Sequence, residues 1–118
     1  MKEDYPIFMH WYQTLDWILA TVERFPKNAR FSLASRLADA ALETMDLIVE
    51  AIYTKHRLRL LDRVNLLLEQ QRVLFRIACH RLYLSRRQHA YIANALEESG
   101  QMIGGWRKKS REKNRKSV

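Results

Sequence analysis

Residues 58–83 read LRLLDRVNLLLEQQRVLFRIACHRLY, and this stretch decides the fold. With a rotation of about 100° per residue, its apolar side chains fall on one face. That face contains Leu60, Val64, Leu67, Leu68, Leu74, Phe75, Ala78 and Leu82. No glycine or proline interrupts the pattern. It predicts an amphipathic α-helix over about 58–83 that must bury its apolar face against other helices.

The same periodicity occurs in two segments before this stretch and in one after it. The spacing predicts a first helix over about 6–24 and a second over about 31–53. The Phe-Pro pair at 25–26 separates them, because proline lacks a backbone donor and disfavours helical angles in the residue before it. Ser85 and Gln88 match a capping box, so a fourth helix is expected to begin there.

Short connections between these segments favour antiparallel neighbours. The predicted fold class is therefore all-α, an up-down-up-down antiparallel four-helix bundle over residues 1–106. Residues 107–118 contain seven basic side chains, one acidic side chain and almost nothing apolar. This composition predicts a disordered basic C-terminal tail.

Composition excludes several classes of protein. A chain of 118 residues with 47% hydrophobic residues can bury a core without disulfides or a metal. No run of about 18 apolar residues is present, so we expect no membrane-spanning segment. The single Cys79 cannot form an intrachain disulfide, and polar residues begin at Lys2, which is unlike a signal peptide. We therefore expect a cytoplasmic protein.

Motifs for catalysis or for metal binding are absent from the sequence. The four histidines form no HExxH or Glu-x-x-His pattern. There is no GxSxG motif and no glycine-rich phosphate loop. The sequence thus predicts a noncatalytic protein with no cofactor, no metal and no small-molecule substrate.

Positive charge is concentrated in the third helix and the tail. The formal net charge of the whole chain is +8. Residues 1–54 carry five basic and eight acidic side chains, whereas residues 55–87 carry nine basic and two acidic ones. Arginine donates paired hydrogen bonds to phosphate through its planar fork. Our candidates for binding nucleic acid or a polymerase are Arg59, Arg63, Arg72, Arg76, Arg81, Arg86, Arg87, Lys108, Lys109 and Arg111. Alternatively, these side chains pair with the acidic second helix or face only water.

Antiparallel packing would make both ends of the bundle positive. The connection at 55–57 would lie at the same end as the tail. Lys27, Arg30, Arg86 and Arg87 would meet at the other end. Arg72 and Arg76 flank the apolar face of the third helix, so we expect their reversal to glutamate to preserve the fold.

Two features indicate self-association: the apolar surface of the second helix, which is wider than one bundle core requires, and Trp17. Trp17 lies opposite the apolar stripe of the first helix, so we expect it to be an exposed oligomer-interface residue. The alternative is that Trp17 packs under a loop or the tail.

Ala93, Gly100 and Gly104 form a strip of small residues on the fourth helix, which indicates either close approach of another backbone or fraying.

Two motifs carry a resemblance to a known family. They are FPKNARFSL at 25–33 and ESGQMIGGW at 98–106, and the matching residues are Phe25, Pro26, Lys27, Arg30, Phe31, Gly100, Gly104, Gly105 and Trp106. From Tyr5 to Trp106 the chain resembles the accessory variability determinant (Avd) family of diversity-generating retroelements. Position 101 departs from the pattern, because Gln101 stands where a basic residue is expected.

The resemblance implies a four-helix protomer that forms a barrel-shaped homopentamer. It also implies binding to the retroelement reverse transcriptase and to template RNA or an RNA–DNA hybrid. Such a subunit is required for mutagenic reverse transcription but does not catalyse it. Two alternatives stay open: a stand-alone RNA- or ribosome-associated four-helix bundle without a polymerase partner, and a structural oligomer whose charge serves solubility.

Overall fold

Four α-helices form the computed structural model, which describes residues 4–116. They are α1 (Pro6–Val22), α2 (Ser35–Ile52), α3 (Leu58–His80) and α4 (Arg86–Lys116). Helix α1 packs against α2 and α4, and α3 packs against the same two helices. Each helix therefore lies between two antiparallel neighbours. The predicted all-α four-helix bundle is confirmed.

The break between the first two helices lies at Pro26, as predicted. A 3₁₀ turn at Lys27–Ala29 follows it, and a π-helical segment at Arg30–Ala34 then leads into α2. The α-helical hydrogen bonding of α2 consequently begins at Ser35, a few residues later than the apolar periodicity indicates. A π-helical turn is wider than an α-helical one, so the hydrogen-bond pattern changes while the chain remains helical.

Helix α3 ends before Leu82, so the placement of Leu82 on the apolar face is wrong. Leu82 has a φ of 64° and its exposed fraction is 88%. Its N–H donates to the Cys79 carbonyl (3.0 Å), and the Tyr83 N–H donates to the Ala78 carbonyl (2.9 Å). These two bonds define a Schellman motif with leucine at the left-handed position that glycine normally occupies.

The capping box that begins α4 is confirmed. The Gln88 N–H donates to Ser85 Oγ at 3.1 Å, and the Ser85 N–H donates to Gln88 Oε1 at 2.8 Å. Each side chain thus satisfies a backbone donor that has no partner within the helix.

The predicted disorder of the tail is wrong for residues 107–116, which continue α4. Arg107 forms a fork with Asp62 of α3: Nε lies 2.5 Å from Oδ1 and Nη2 lies 3.3 Å from Oδ2. Arginine, lysine and glutamate are good helix formers, and extending a packed helix requires no new nucleation. Residues 117–118 of the predicted tail lie outside the described residues.

The bundle core combines apolar packing with internal hydrogen bonds, as Trp11 and the Gln71–Thr44 pair show. Trp11 is fully buried, and its indole Nε1–H donates to the Ala41 carbonyl at 3.1 Å, which ties α1 to α2. Gln71 is also fully buried and donates from Nε2 to Thr44 Oγ1 at 3.1 Å. Within the part of the chain that the structure describes, Gln71 Oε1 accepts no hydrogen bond.

Candidate nucleic-acid and partner interface

Two of the predicted binding arginines of α3, Arg63 and Arg72, contact different neighbouring helices. Arg63 Nη2 lies 3.3 Å from Glu43 Oε1 of α2. Arg72 lies on the opposite side, where α3 faces α4. Arg63 therefore follows the alternative prediction, in which an arginine of the third helix pairs with the acidic second helix.

Arg72 is a structural brace. Its Nη1 donates to Glu69 Oε2 at 2.8 Å, and its Nη2 donates to the Leu96 carbonyl at 3.2 Å and lies 4.0 Å from Glu97 Oε2. A Cβ on Gly100 would lie 2.9 Å from Nη2, so this glycine leaves room for the guanidinium group. The close approach at Gly100 is made by a side chain, not by another backbone.

This geometry corrects the expectation that Arg72 can be reversed without damage. Glutamate at position 72 would join the carboxylates of Glu69 and Glu97 and would lose the bond to the α4 backbone. The expectation remains for Arg76, whose exposed side chain makes no hydrogen bond or ion pair with the described residues.

Seven predicted binding residues project from the bundle without partners. They are exposed and make no hydrogen bond or ion pair within residues 4–116: Arg59, Arg76, Arg86, Arg87, Lys108, Lys109 and Arg111. By helical position, four of these lie along the outer edge where α3 and α4 run side by side. We call this set, Arg76, Arg86, Lys108 and Arg111, the α3–α4 basic face. The same edge carries Asp62, Glu69 and Glu97, which pair with Arg107 and Arg72. The structure thus groups only part of the predicted set.

One end of the bundle carries the α1–α2 and α3–α4 connections. The rings of Phe25 and Tyr83 lie 5.6 Å apart, so the FPKNARF motif packs against the turn after α3. Arg81 Nε donates to the Tyr83 hydroxyl at 3.0 Å, and this hydrogen bond raises the pKa of Arg81. Phe31 and Leu82 are each 88% exposed at this end. Sequence reasoning missed these exposed apolar side chains as interface candidates.

The opposite end joins the α2–α3 loop to α4. The Arg57 guanidinium lies 5.2 Å from the centre of the Trp106 ring and 5.8 Å from that of Tyr5. The two rings lie 5.0 Å apart. The prediction that residues 55–57 and the C-terminal segment share one end is confirmed.

Trp17 packs within its own chain, so the expectation of an exposed tryptophan is wrong. It is half-buried, and its ring lies 4.9 Å from that of Tyr91 and 6.5 Å from that of Phe75. Helix α1 contacts two neighbouring helices, which widens the arc of its surface that is buried. Trp17 therefore packs against α3 and α4. The alternative, in which it packs under a loop or the tail, is also wrong.

An apolar strip that the sequence reasoning did not single out lies on the outer surface of α3. Leu66, Val73 and Ile77 are 49%, 43% and 41% exposed, respectively. They lie seven and then four residues apart, and this helical spacing could have identified them. Gly104 and Gly105 of α4 are also exposed, and a Cβ added to either would meet no other described helix within 4 Å.

The described residues contain no cluster of three or more histidine, cysteine or acidic side chains placed to hold a metal. In the same part of the chain, every helix is too short or too polar to cross a bilayer. Cys79 is a free thiol that is half-buried against the core.

A family model described as bAvd-like matches residues 7–110. The chain belongs to the bAvd-like family. This match covers both sequence motifs and agrees with the Avd resemblance. It indicates an accessory protein of a diversity-generating retroelement, from a noncatalytic family. Among curated proteins, no match to the bAvd-like chain is found.

Proposed function

We propose that this chain is a noncatalytic accessory subunit that binds a reverse transcriptase and its template RNA and is required for mutagenic reverse transcription. The observation that carries the proposal is the α3–α4 basic face. Its four cations have no acidic partner among the described residues, whereas the acidic α2 lies on another side of the bundle. Membership in the bAvd-like family supports the choice of partner enzyme.

In this proposal the subunit acts by positioning its partners. Exposed arginines and lysines contact backbone phosphates of RNA or of an RNA–DNA hybrid, so binding is strongly salt-dependent. The apolar side chains of Phe31 and Leu82 lie at an end that also carries Arg30 and Arg86, and they offer contacts to a protein partner. Holding the enzyme and its template together raises the rate of reverse transcription, although the subunit itself catalyses no step.

We further propose that the subunit is a cytoplasmic homopentamer. The exposed strip of Leu66, Val73 and Ile77 supports self-association, because it leaves apolar surface uncovered on the monomer. The number of five comes from the family resemblance. Light scattering after size exclusion tests it directly, and a monomer at micromolar concentration would contradict it.

A pair of double charge reversals tests the RNA-binding role. The test variant is Arg76→Glu/Arg111→Glu on the α3–α4 basic face. The matched control is Arg24→Glu/Arg36→Glu, which makes the same change in net charge just after α1 and on α2. Both side chains are exposed and make no hydrogen bond or ion pair among residues 4–116. Both variants should retain wild-type helicity by circular dichroism.

The readouts are co-purification with the reverse transcriptase and RNA binding over a range of salt. We expect the test variant to lose RNA affinity and to reduce the salt slope by about 1.4, since each contact to single-stranded RNA contributes roughly 0.7. The control should bind RNA nearly as wild type. Equal loss in both variants would show that net charge alone matters. RNA binding without co-purification would favour the stand-alone RNA-associated bundle. If the chain shows neither RNA binding nor co-purification, a structural oligomer is favoured.

A further inference from the structure

A polar cleft of about 320 Å³ opens between the α2–α3 loop and the C-terminal part of α4. It is lined by Tyr5, Lys55, Arg57, Ser110, Lys113 and Asn114. No carboxylate among the described residues lines it. The cleft therefore presents hydrogen-bond donors and positive charge from two separate elements of the fold.

Three of these donors have no partner within the described residues. The Lys55 ammonium, the Ser110 hydroxyl and the Asn114 side-chain amide make no hydrogen bond or ion pair there. Ser110 is half-buried and is one of the residues that line the cleft. A ligand with several acceptor oxygens would satisfy all three groups at once.

Arg57 is already held in place beside these donors. Its Nε and Nη2 donate to the Thr54 carbonyl at 3.1 and 2.8 Å, and its guanidinium plane lies near the rings of Tyr5 and Trp106. These contacts leave the Nη1 donors for a ligand. Because the side chain is fixed before binding, little conformational entropy is lost when an anion arrives.

We propose that this cleft is a phosphate-binding site that takes one backbone phosphate of the bound RNA. The assignment to RNA rests on the proposed function. A phosphate group carries negative charge and several acceptor oxygens, which match the cations Lys55 and Arg57 and the neutral donors Ser110 and Asn114 of the cleft. The site exists only because α4 continues beyond Trp106, since that extension supplies Ser110 and Asn114.

The first experiment titrates inorganic phosphate into the full, isotope-labelled chain and follows its NMR signals. We expect saturable shifts at Ser110, Asn114 and the α2–α3 loop. The variant Ser110→Ala/Asn114→Ala should lose these shifts. The matched control, Gln101→Ala, removes an exposed amide from the same helix outside the cleft and should keep them.

The second experiment measures binding of a labelled single-stranded RNA by anisotropy. Ser110→Ala/Asn114→Ala removes two neutral donors, each of which makes roughly one hydrogen bond to the phosphate. We expect RNA binding to weaken about tenfold. The salt slope should not change, because neither side chain is charged. Lys55→Gln should instead lower the slope by about 0.7.

Shifts spread evenly over all basic segments, or none at the cleft, would overturn the site. So would RNA affinity of the double variant equal to that of wild type, or an equal loss in Gln101→Ala. Phosphate-induced shifts that RNA does not reproduce would overturn the assignment to RNA and leave a site for a free phosphate ligand. If the wild-type chain binds no RNA, the proposed function fails, and the phosphate titration still decides whether the cleft binds the anion.

Discussion

Replacing Leu82 by glycine should stabilise the protein, although it removes a large apolar side chain. Leu82 closes the Schellman motif after α3 with a φ of 64°, in the left-handed region. There the Cβ of an ordinary residue crowds the following carbonyl oxygen, which costs roughly 1–2 kcal/mol. Glycine has no Cβ and occupies this region without strain.

The net gain is smaller than the strain that is removed. Glycine loses more backbone freedom on folding, which costs about 0.5–1 kcal/mol. The Leu82 side chain is 88% exposed, so almost no buried apolar area is lost. We therefore expect Leu82→Gly to raise the free energy of unfolding by about 0.5–1 kcal/mol. For a chain of this size that corresponds to an increase in Tm of about 2–6 °C.

Urea unfolding and thermal melting followed by circular dichroism measure this change. Wild type and variants must be compared at one protein concentration, because self-association makes Tm concentration-dependent. The control is Leu82→Ala, which removes the same side chain beyond Cβ but keeps the strained backbone, and it should gain nothing. If Leu82→Gly is no more stable than wild type, or if Leu82→Ala gains as much, the reasoning from backbone strain is refuted.

Three further variants test other contacts. Ser85→Ala breaks the capping box of α4 and should lower the free energy of unfolding by about 1 kcal/mol in urea, whereas Ser85→Thr should restore most of it. Gln71→Met removes a buried acceptor without a partner but also the bond from Nε2 to Thr44 Oγ1, so the free energy of unfolding in urea should change by less than about 1 kcal/mol; a loss above about 2 kcal/mol would contradict this. Arg107→Ala removes the fork to Asp62, so amide hydrogen exchange should accelerate in residues 108–116 while Tm stays constant, and unchanged exchange would argue against the brace.

The helices themselves were predictable because each one must bury an apolar face, and that requirement appears in the local sequence. The break at Pro26 and the capping box at Ser85 are likewise local, and both are confirmed. The errors have tertiary causes. Leu82 fits the apolar face by spacing, but the chain turns before reaching it. When the first helix is considered alone, Trp17 lies opposite its apolar stripe, yet in the bundle it packs against α3 and α4.

For the candidate interface, composition indicated a basic surface but could not distinguish its arginines. Arg63 and Arg72 pair with acidic groups or a backbone carbonyl, whereas Arg76 does not, and the difference lies in which residues the neighbouring helices present. The charge run after Trp106 fitted a disordered tail. The structure continues α4 into it, and Arg107 contacts Asp62, a residue far away in the chain.

The sequence by itself determined the four amphipathic helices, the capping box of α4, the positive charge and the bAvd-like family, because periodicity, capping and motifs depend on neighbouring residues. Only the tertiary structure decided which cations are braces and which are unpartnered. It also decided that the C-terminal segment is helical and that Lys55 and Asn114 line one cleft. The physical reason is that ion pairs and clefts form between groups that only antiparallel packing brings within a few ångströms of each other.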